Sequence, residues 1–233
     1  TDSFASYYAK NKEEVGSYLK GMASDLAVLS DSEATNPNYQ SNDYADQLIN
    51  DSTNEVLESY HCFDRLYPAS ITKVMTALLT LEHGNMDDEI TLKHDINLTE
   101  NGAVISTLTK GDTVTVGQVF HTMLIKSAND CAVILAEYVA GSESKFIDMM
   151  NAKAKELGAT HTHFVNPNGL HDNNHYTTAY DLYLIFKEAV KYDTFVDTVS
   201  SKDYTMTYTT PKKTQINEYM QSTNYYLLNE FPV

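Results

Sequence analysis

The sequence predicts an α+β fold in which an antiparallel sheet is flanked by helices. Apolar residues recur at helical spacing in several segments, most clearly at Val74, Ala77, Leu78 and Leu81. Other short segments are rich in β-forming residues and are joined in pairs by turn residues. A chain of 233 residues is long enough for one large domain with a substantial core.

The composition argues against several classes of partner. The formal charge is −16, from 32 acidic and 16 basic residues, and Arg65 is the sole arginine. Such a chain lacks the positive surface that nucleic acids and anionic membranes require. It has no run of 18 apolar residues and no signal-peptide pattern at Thr1. We therefore expect a soluble, processed portion that binds no nucleic acid and meets a membrane only through an anchor outside this chain.

The N-terminal region differs in character from the remainder of the chain. Residues 1–25 carry apolar side chains among polar ones and are compatible with an amphipathic helix, whereas residues 31–43 are rich in Ser, Asn and Asp, which is typical of a loop. We expect a helical leader or linker over residues 1–40. The folded domain is then expected over residues 41–233.

Strands are predicted where β-forming residues flank turn residues. A brief strand is expected over residues 89–93, after the first helix. Three hairpins are expected: 44–49 with 54–59, 103–109 with 112–116, and 204–208 with 215–219.

Helices are predicted from apolar spacing together with their start and stop signals. The first begins at Pro68 and ends at Gly84, and Thr178 with Asp181 forms a capping pair at the start of the last. Between these two lie helices expected over residues 116–125, 130–140 and 144–157, and the last helix is expected over 178–192. The segment 130–140 is almost entirely apolar, so it should be buried on most sides.

Ser70 and Lys73 lie three residues apart in the first turn of the first helix, so their side chains should be neighbours. Pro68 favours a helix start at this point because its φ is already helical. A hydroxyl beside an amine is a nucleophile beside a possible base, and a helix N-terminus favours a developing oxyanion. Taken alone, the same pattern also fits an N-cap serine followed by a solvated lysine.

Ser127 and Asn129 lie in a short connection between two predicted helices, which should hold both residues rigidly. In isolation, either residue could simply cap the second helix. Cys131 follows them and is expected to be a small buried hydrophobe. Whether Cys131 and Cys62 are free thiols or form one disulfide is left open by the sequence.

In combination, the two motifs resemble the active-site pairing of penicillin-recognising serine enzymes. The first is PASITK at 68–73 and the second is SAN at 127–129. Other blocks are similar to low-molecular-mass D-alanyl-D-alanine carboxypeptidases: KGDTVTV at 110–116, NAKAKELG at 151–158, HFVNPNGL at 163–170 and HYTTAYDL at 175–182. The resemblance extends from about residue 40 to the end. It implies a β-lactamase/serine transpeptidase-like fold with an additional all-helical subdomain.

The resemblance also implies a mechanism. Ser70 would attack the carbonyl of a terminal D-Ala-D-Ala bond and form an acyl-enzyme that water then releases. Lys73 would be the base, since partial burial and nearby positive charge can lower the pKa of a lysine. Ser127 would relay a proton to the departing amine, and Asn129 would hydrogen-bond the substrate's amide or steady Lys73. The N–H of Ser70 would form half of an oxyanion hole, and no metal or other cofactor is implied.

The partners and location follow from the same resemblance. The expected substrate is the peptidoglycan pentapeptide ending in D-Ala-D-Ala, and the expected inhibitors are β-lactams, which would acylate Ser70 covalently. Because this substrate lies outside the cytoplasmic membrane, the protein is expected at the cell surface or in the periplasm.

Two departures from the family pattern bear on activity. Asn168 stands where the family usually has histidine in its Asn-Pro-x-Gly-Leu block, and the third motif, Lys-Thr-Gly, is absent. The tripeptide Lys213-Thr214-Gln215 lacks the glycine and is expected to be a turn with a solvated lysine. The chain ends at Val233, before the strand that would carry the motif. We therefore expect a truncated domain with an incomplete sheet and poor acylation.

Three alternatives compete with the carboxypeptidase interpretation. A class A β-lactamase would need a glutamate to activate the deacylating water, but residues 164–170 contain none, so β-lactams should be held rather than destroyed. A zinc hydrolase could use four histidines, although they lie in a loop-rich region without a His-Glu-x-x-His helix. These are His161, His163, His171 and His175. The third alternative is a catalytically incompetent penicillin-binding fragment or scaffold domain.

Overall fold

A computed structural model describes residues 44–50, 54–98, 100 and 102–228 of the chain. These residues form two compact units. The first comprises the described residues up to Tyr67 together with Asn151–His163 and Tyr176–Phe186; the second comprises Pro68–Met150, Phe164–His175 and the described residues from Lys187 onward. The predicted leader over residues 1–40 lies outside the described residues, so it stays a prediction, as does the domain boundary at 41.

The first unit contains an antiparallel hairpin. Strand β1 spans Asp46–Asn50 and strand β2 spans Glu55–Tyr60, paired from Asp46 opposite Tyr60 to Asn50 opposite Glu55. This confirms the first predicted hairpin with its strands moved by one or two residues, and its turn at 51–53 lies outside the described residues.

The helices of the described chain lie close to their predicted positions. A 3-10 turn at Ala69–Thr72 leads into the first α-helix. The helices are α1 Lys73–His83, α2 Val116–Ile125, α3 Asn129–Ala140, α4 Glu143–Glu156, α5 Ala179–Ala189, α6 Asp193–Val199 and α7 Tyr225–Leu228. The helix predicted over 178–192 ends three residues early, at Ala189. The chain then turns through Tyr192 into α6, a helix that the sequence pattern did not predict.

The second unit contains a four-stranded antiparallel sheet in the order β3-β4-β5-β6. Its strands are β3 Glu89–Thr91, β4 Thr113–Thr115, β5 Asp203–Thr209 and β6 Gln215–Gln221. Strands β5 and β6 form the predicted hairpin. Lys213 lies in its turn with φ 59° and is exposed, which confirms the interpretation of Lys213-Thr214-Gln215 as a turn with a solvated lysine.

The hairpin predicted between residues 103–109 and 112–116 is wrong. Strand β4 pairs with β3 instead, in register from Glu89 opposite Thr115 to Thr91 opposite Thr113. Residues 103–109 form no strand, because their backbone groups bind side chains: the N–H of Ser106 donates to Asp130 and that of Thr107 to Glu218. A segment satisfied in this way has no need of a strand partner.

Helix α3 lies at the centre of the second unit, where α1 and α2 pack against it. Its residues from Cys131 to Ala136 are all at most 5% exposed, which confirms the predicted buried helix. Cys62 and Cys131 are both buried. Among the residues that the structure describes, no helix is both long and apolar enough to cross a membrane.

Helix α2 begins with a capping box. The side chain of Thr115 accepts a hydrogen bond from the N–H of Gln118 at 3.3 Å, and the side chain of Gln118 accepts one from the N–H of Thr115 at 3.3 Å. Both interactions satisfy N–H groups that the first turn of a helix leaves without partners.

Thr115→Ala is therefore expected to lower the free energy of unfolding by about 1 kcal/mol. Urea denaturation of the variant beside the parent measures this loss. Thr115→Ser is the matched control, because serine caps a helix at least as well as threonine. Equal losses in both variants would show that the cap itself contributes nothing.

Candidate active site

A tight turn places Ser70 at the start of the first helix. Pro68 is the N-cap of the 3-10 turn, and Ala69 adopts φ 48°, in the left-handed region that residues other than glycine rarely occupy. Ser70 is exposed and makes no capping hydrogen bond. The alternative of a capping serine is therefore wrong. An exposed hydroxyl following a strained residue is an arrangement frequent at functional sites.

Lys73 is buried and converges with Ser70 and Asn129. Its side-chain nitrogen lies 3.1 Å from Ser70 Oγ and 2.8 Å from Asn129 Oδ1, and it donates to the carbonyl oxygen of Asn168 at 2.7 Å. The residue is 2% exposed, so the alternative of a solvated lysine is also wrong. A buried amine with three oxygen neighbours is held in a single geometry.

Burial changes the acid–base chemistry of this amine. It lowers the pKa of Lys73 from 10.5 to about 8, while the nearby carboxylate of Asp130 acts in the opposite direction. Removal from water disfavours the charged form of an amine. A neutral, proton-accepting amine is therefore accessible near physiological pH, which an exposed lysine does not offer.

The turn between α2 and α3 carries the second motif. Ser127 adopts φ 61°, in the left-handed region, and its hydroxyl has no hydrogen-bond partner within the described part of the chain. The N-cap of α3 is Ala128, without a side-chain cap, so neither Ser127 nor Asn129 serves as the cap. Asn129 donates from its side-chain nitrogen to the carbonyl oxygen of Val104 at 3.0 Å, which turns its oxygen toward Lys73.

The structure thus brings the motif at 68–73 into hydrogen-bond contact with one residue of the motif at 127–129. Ser70, Lys73 and Asn129 form one hydrogen-bonded cluster. Ser127 lies two residues before Asn129 on the same rigid turn, and its hydroxyl is not bonded to the cluster.

The loop of residues 164–175 is attached to the first helix at several points. Besides the Asn168 carbonyl on Lys73, the carbonyl of Pro167 accepts from the hydroxyl of Thr76 at 2.6 Å. His175 Nδ1 accepts from the N–H of Val165, so its Nε2 carries the proton and donates to Thr72 Oγ1 at 2.7 Å. The loop therefore forms a fixed wall beside the lysine.

Both ring nitrogens of His175 are engaged in these hydrogen bonds. A metal ion could bind this ring only by breaking one of them. Among the described residues, no three His, Cys, Asp or Glu side chains are grouped as metal ligands. The two hydrogen bonds of His175 assign it to positioning of the loop.

Gly169 marks a close approach between this loop and the turn at Ala69 that precedes Ser70. It adopts φ +88°, and a Cβ atom at this position would collide with the carbonyl group of Ala69. Sequence reasoning noted the block of residues 163–170 but assigned no role to Gly169 or to the Asn168 carbonyl. The Asn-Gly pair was the available signal, because such pairs favour turns with positive φ.

Gly169→Ala is expected to lower the free energy of unfolding by about 2 kcal/mol or more, because left-handed strain and a backbone collision act together. It should also slow any reaction of Ser70, since the collision falls on the preceding residue. Gly141→Ala is the matched control: Gly141 has φ +78°, and no atom lies within 4 Å of the place that its Cβ would take, so it should lose only about 1 kcal/mol. Urea denaturation measures both, and equal losses would contradict the proposed close approach.

A cleft of about 520 Å³ adjoins this loop within the second unit. It is lined mainly by polar and acidic side chains, including Asp95, Glu137, Glu143 and Asp172, together with Asn168. Burial, followed by the proximity of Glu137, raises the pKa of the Glu143 carboxyl. The cleft that adjoins this loop is thus bordered by four carboxyl side chains.

Comparison with known proteins agrees with this geometry. A sequence profile of a family described as D-alanyl-D-alanine carboxypeptidase matches residues 31–229. The chain is 38% identical over 162 residues to D-alanyl-D-alanine carboxypeptidase DacF of Bacillus subtilis, covering 67% of this chain and 41% of that protein. It is 34% identical to DacC of Escherichia coli, covering 61% of this chain and 38% of that protein. The chain thus aligns with about two fifths of the length of these relatives.

The fold is also similar to a solved structure. A mutant of the Streptomyces K15 DD-transpeptidase superposes with a TM-score of 0.75 at 27% sequence identity, covering 81% of this chain and 76% of that one. This likeness confirms the predicted α+β, serine transpeptidase-like fold.

Proposed function

Because the chain belongs to the D-alanyl-D-alanine carboxypeptidase family, we propose that it supplies the acylation centre of a serine-type D-Ala-D-Ala carboxypeptidase. Ser70 is the nucleophile and Lys73 is its base. The observation that carries this proposal is the hydrogen-bond pattern of the lysine nitrogen, which contacts Asn129, Asn168 and Ser70.

A neutral lysine amine has two hydrogens and one lone pair. In this site the side-chain oxygen of Asn129 and the carbonyl oxygen of Asn168 can only accept, so they take the two hydrogens. The lone pair then faces Ser70 Oγ at 3.1 Å, which is within reach for proton transfer. The neighbours of Lys73 therefore orient it as a base toward one hydroxyl.

The acyl transfer follows from this orientation. Lys73 takes the proton as Ser70 Oγ forms a bond to the carbonyl carbon of the penultimate D-Ala, and the N–H of Ser70 donates to the oxyanion. As the peptide bond breaks, Ser127 relays the proton that Lys73 has taken to the departing D-Ala amine. Asn129 steadies Lys73, which is the role that its two hydrogen bonds favour over substrate binding. Water then hydrolyses the ester on Ser70.

The substrate class and location follow from this chemistry. The substrate is a peptidoglycan stem peptide ending in D-Ala-D-Ala, and β-lactams acylate the same hydroxyl. Residues 164–170 contain no carboxylate that could activate a deacylating water, so the β-lactam adduct persists. Because the substrate is part of the cell wall, the protein acts outside the cytoplasmic membrane.

The test is covalent labelling with a fluorescent penicillin, followed by mass spectrometry of the labelled peptide and by an assay of D-Ala release. Both should be run on the 233-residue chain and on any longer natural form that contains it. We expect a single adduct on Ser70, formed slowly by the 233-residue chain, that persists through denaturing electrophoresis. If folded protein forms no adduct in any of these forms, the result would instead support a non-catalytic scaffold.

A further inference from the structure

Glu218 lies on strand β6 and has no place in the reaction described above, yet it bonds to two segments that border the active site. One carboxylate oxygen accepts from the side-chain nitrogen of Lys126 at 2.6 Å. The other accepts from the N–H and the hydroxyl of Thr107, at 3.1 and 2.6 Å. Neither motif of the sequence contains Glu218, and nothing in its local pattern singles it out.

This carboxylate is held in its charged form. Although partial burial opposes ionisation, the hydrogen bonds from Lys126 and Thr107 lower the pKa of Glu218 below its usual value. The side chain of Glu218 is 11% exposed and that of Lys126 is 30% exposed, so solvent screens this ion pair less than a pair on the open surface.

Both partners of Glu218 lead to residues of the site. Lys126 directly precedes Ser127, whose left-handed φ of 61° must be maintained by the surrounding structure. Thr107 belongs to the segment whose Val104 carbonyl accepts two hydrogen bonds from Asn129, at 2.8 and 3.0 Å. Glu218 thus joins the turn that carries Ser127 to the segment that orients Asn129.

A second contact reinforces the same junction. The N–H of Thr223, just after strand β6, donates to the carbonyl of Ile125 at 3.2 Å, at the end of α2. On the other side, Ser106 donates from its N–H and hydroxyl to Asp130, with the hydroxyl contact at 2.5 Å. The turn between α2 and α3 is therefore held from both flanks, and Glu218 links Lys126 of this turn to Thr107.

We propose that Glu218 is a positioning residue that, through Lys126 and Thr107, fixes the turn carrying Ser127 and Asn129 in its reactive geometry. The inference rests on the proposed acyl transfer at Ser70. Displacement of a catalytic group by about 1 Å can reduce a rate by two orders of magnitude, so loss of this link acts on the acylation step rather than on the first binding of ligand.

The test variant is Glu218→Gln, which keeps the size of the side chain and an oxygen for Thr107 but removes the charge that binds Lys126. We expect the rate constant of acylation by penicillin to fall about 10- to 100-fold, with little change in the initial dissociation constant. Hydrogen exchange should become faster in peptides that cover residues 122–130 and 103–109, whether or not the protein is active.

Four further variants separate positioning from simple destabilisation. Lys126→Arg keeps the ion pair and should retain the parent rate, whereas Lys126→Met should reproduce Glu218→Gln. The double variant should be no slower than either single one, because both remove the same interaction. Glu188→Gln is the matched control: it removes an ion pair with Lys191 of 2.7 Å in which the lysine is 53% exposed, and it should change neither readout.

The outcomes distinguish this inference from the proposed function. An acylation rate in Glu218→Gln equal to that of the parent would overturn the inference while leaving the serine mechanism in place. Unchanged hydrogen exchange at both peptides would overturn it as well. A parent protein that is never acylated would refute the serine mechanism. If Glu218→Gln nevertheless made hydrogen exchange faster in that protein, the result would still support Glu218 as the residue that fixes the turn.

Discussion

Replacing Ser70 with alanine is expected to abolish covalent labelling by penicillin and to reduce D-Ala release by at least about 10³-fold. In enzymes that use an activated serine, loss of the nucleophile removes nearly all of the rate beyond binding and oxyanion stabilisation. Within the described chain, Lys73 bonds to no side-chain hydroxyl besides that of Ser70, whose Oγ is 3.1 Å from the lysine nitrogen. Labelling on gels and the D-Ala assay measure the two losses.

The fold should survive this substitution. Ser70 is exposed and its hydroxyl contributes one hydrogen bond, so urea denaturation should differ by less than about 1 kcal/mol from the parent. Ser200→Ala is the control, since Ser200 is an exposed serine at the end of α6. If penicillin still labels the Ser70→Ala protein covalently, another residue is the nucleophile and the proposed mechanism is refuted.

Local sequence patterns predicted most of the helices because their information lies within a few residues of one another. The stop signal at Gly141 is present as expected, and Thr178 accepts a hydrogen bond from the N–H of Asp181, which is one half of the expected capping pair. Residues 103–109 show the opposite case. Their alternating pattern is compatible with a strand, but Asp130 and Glu218, which are distant in sequence, satisfy their backbone groups instead.

The same distinction applies to the site. Ser70 and Lys73 could be paired from the sequence because three residues on one helical turn set their distance. The family resemblance predicts Asn129 near Lys73, but the second acceptor that orients Lys73, the backbone carbonyl of Asn168, could not be found from local spacing because it lies 95 residues away. A carbonyl group is common to every residue, so no residue type in the sequence reports its role. The same is true of Glu218, whose partners are 92 and 111 residues away.

Lys73→Met is expected to remove acylation as completely as loss of the serine, with a rate reduction of about 10³-fold or more.

In the parent, the acylation rate constant should rise with pH and level off above about 8, since the neutral amine is the reactive form and the pKa of Lys73 is lowered to about 8. Lys73→Arg keeps a positive charge at every accessible pH and should be inactive throughout. Stopped-flow acylation from about pH 6 to about pH 10 would reveal the profile, and a rate independent of pH would contradict a lysine base.

The same lowered pKa makes a prediction about stability with a definite sign. In the unfolded chain Lys73 has an ordinary pKa near 10.5, so between pH 8 and 10.5 the unfolded state binds more protons than the folded one. The contribution of Lys73 to the free energy of unfolding therefore rises with pH across that window, by up to about 3 kcal/mol. Below pH 8 the folded state buries the charged amine, so this free energy is lost in full. The free energy of unfolding of the parent minus that of Lys73→Met isolates this contribution, because other groups titrate alike in both. A difference that stays constant from about pH 7 to 10.5 would mean that Lys73 remains charged in the folded state and cannot accept the proton of Ser70.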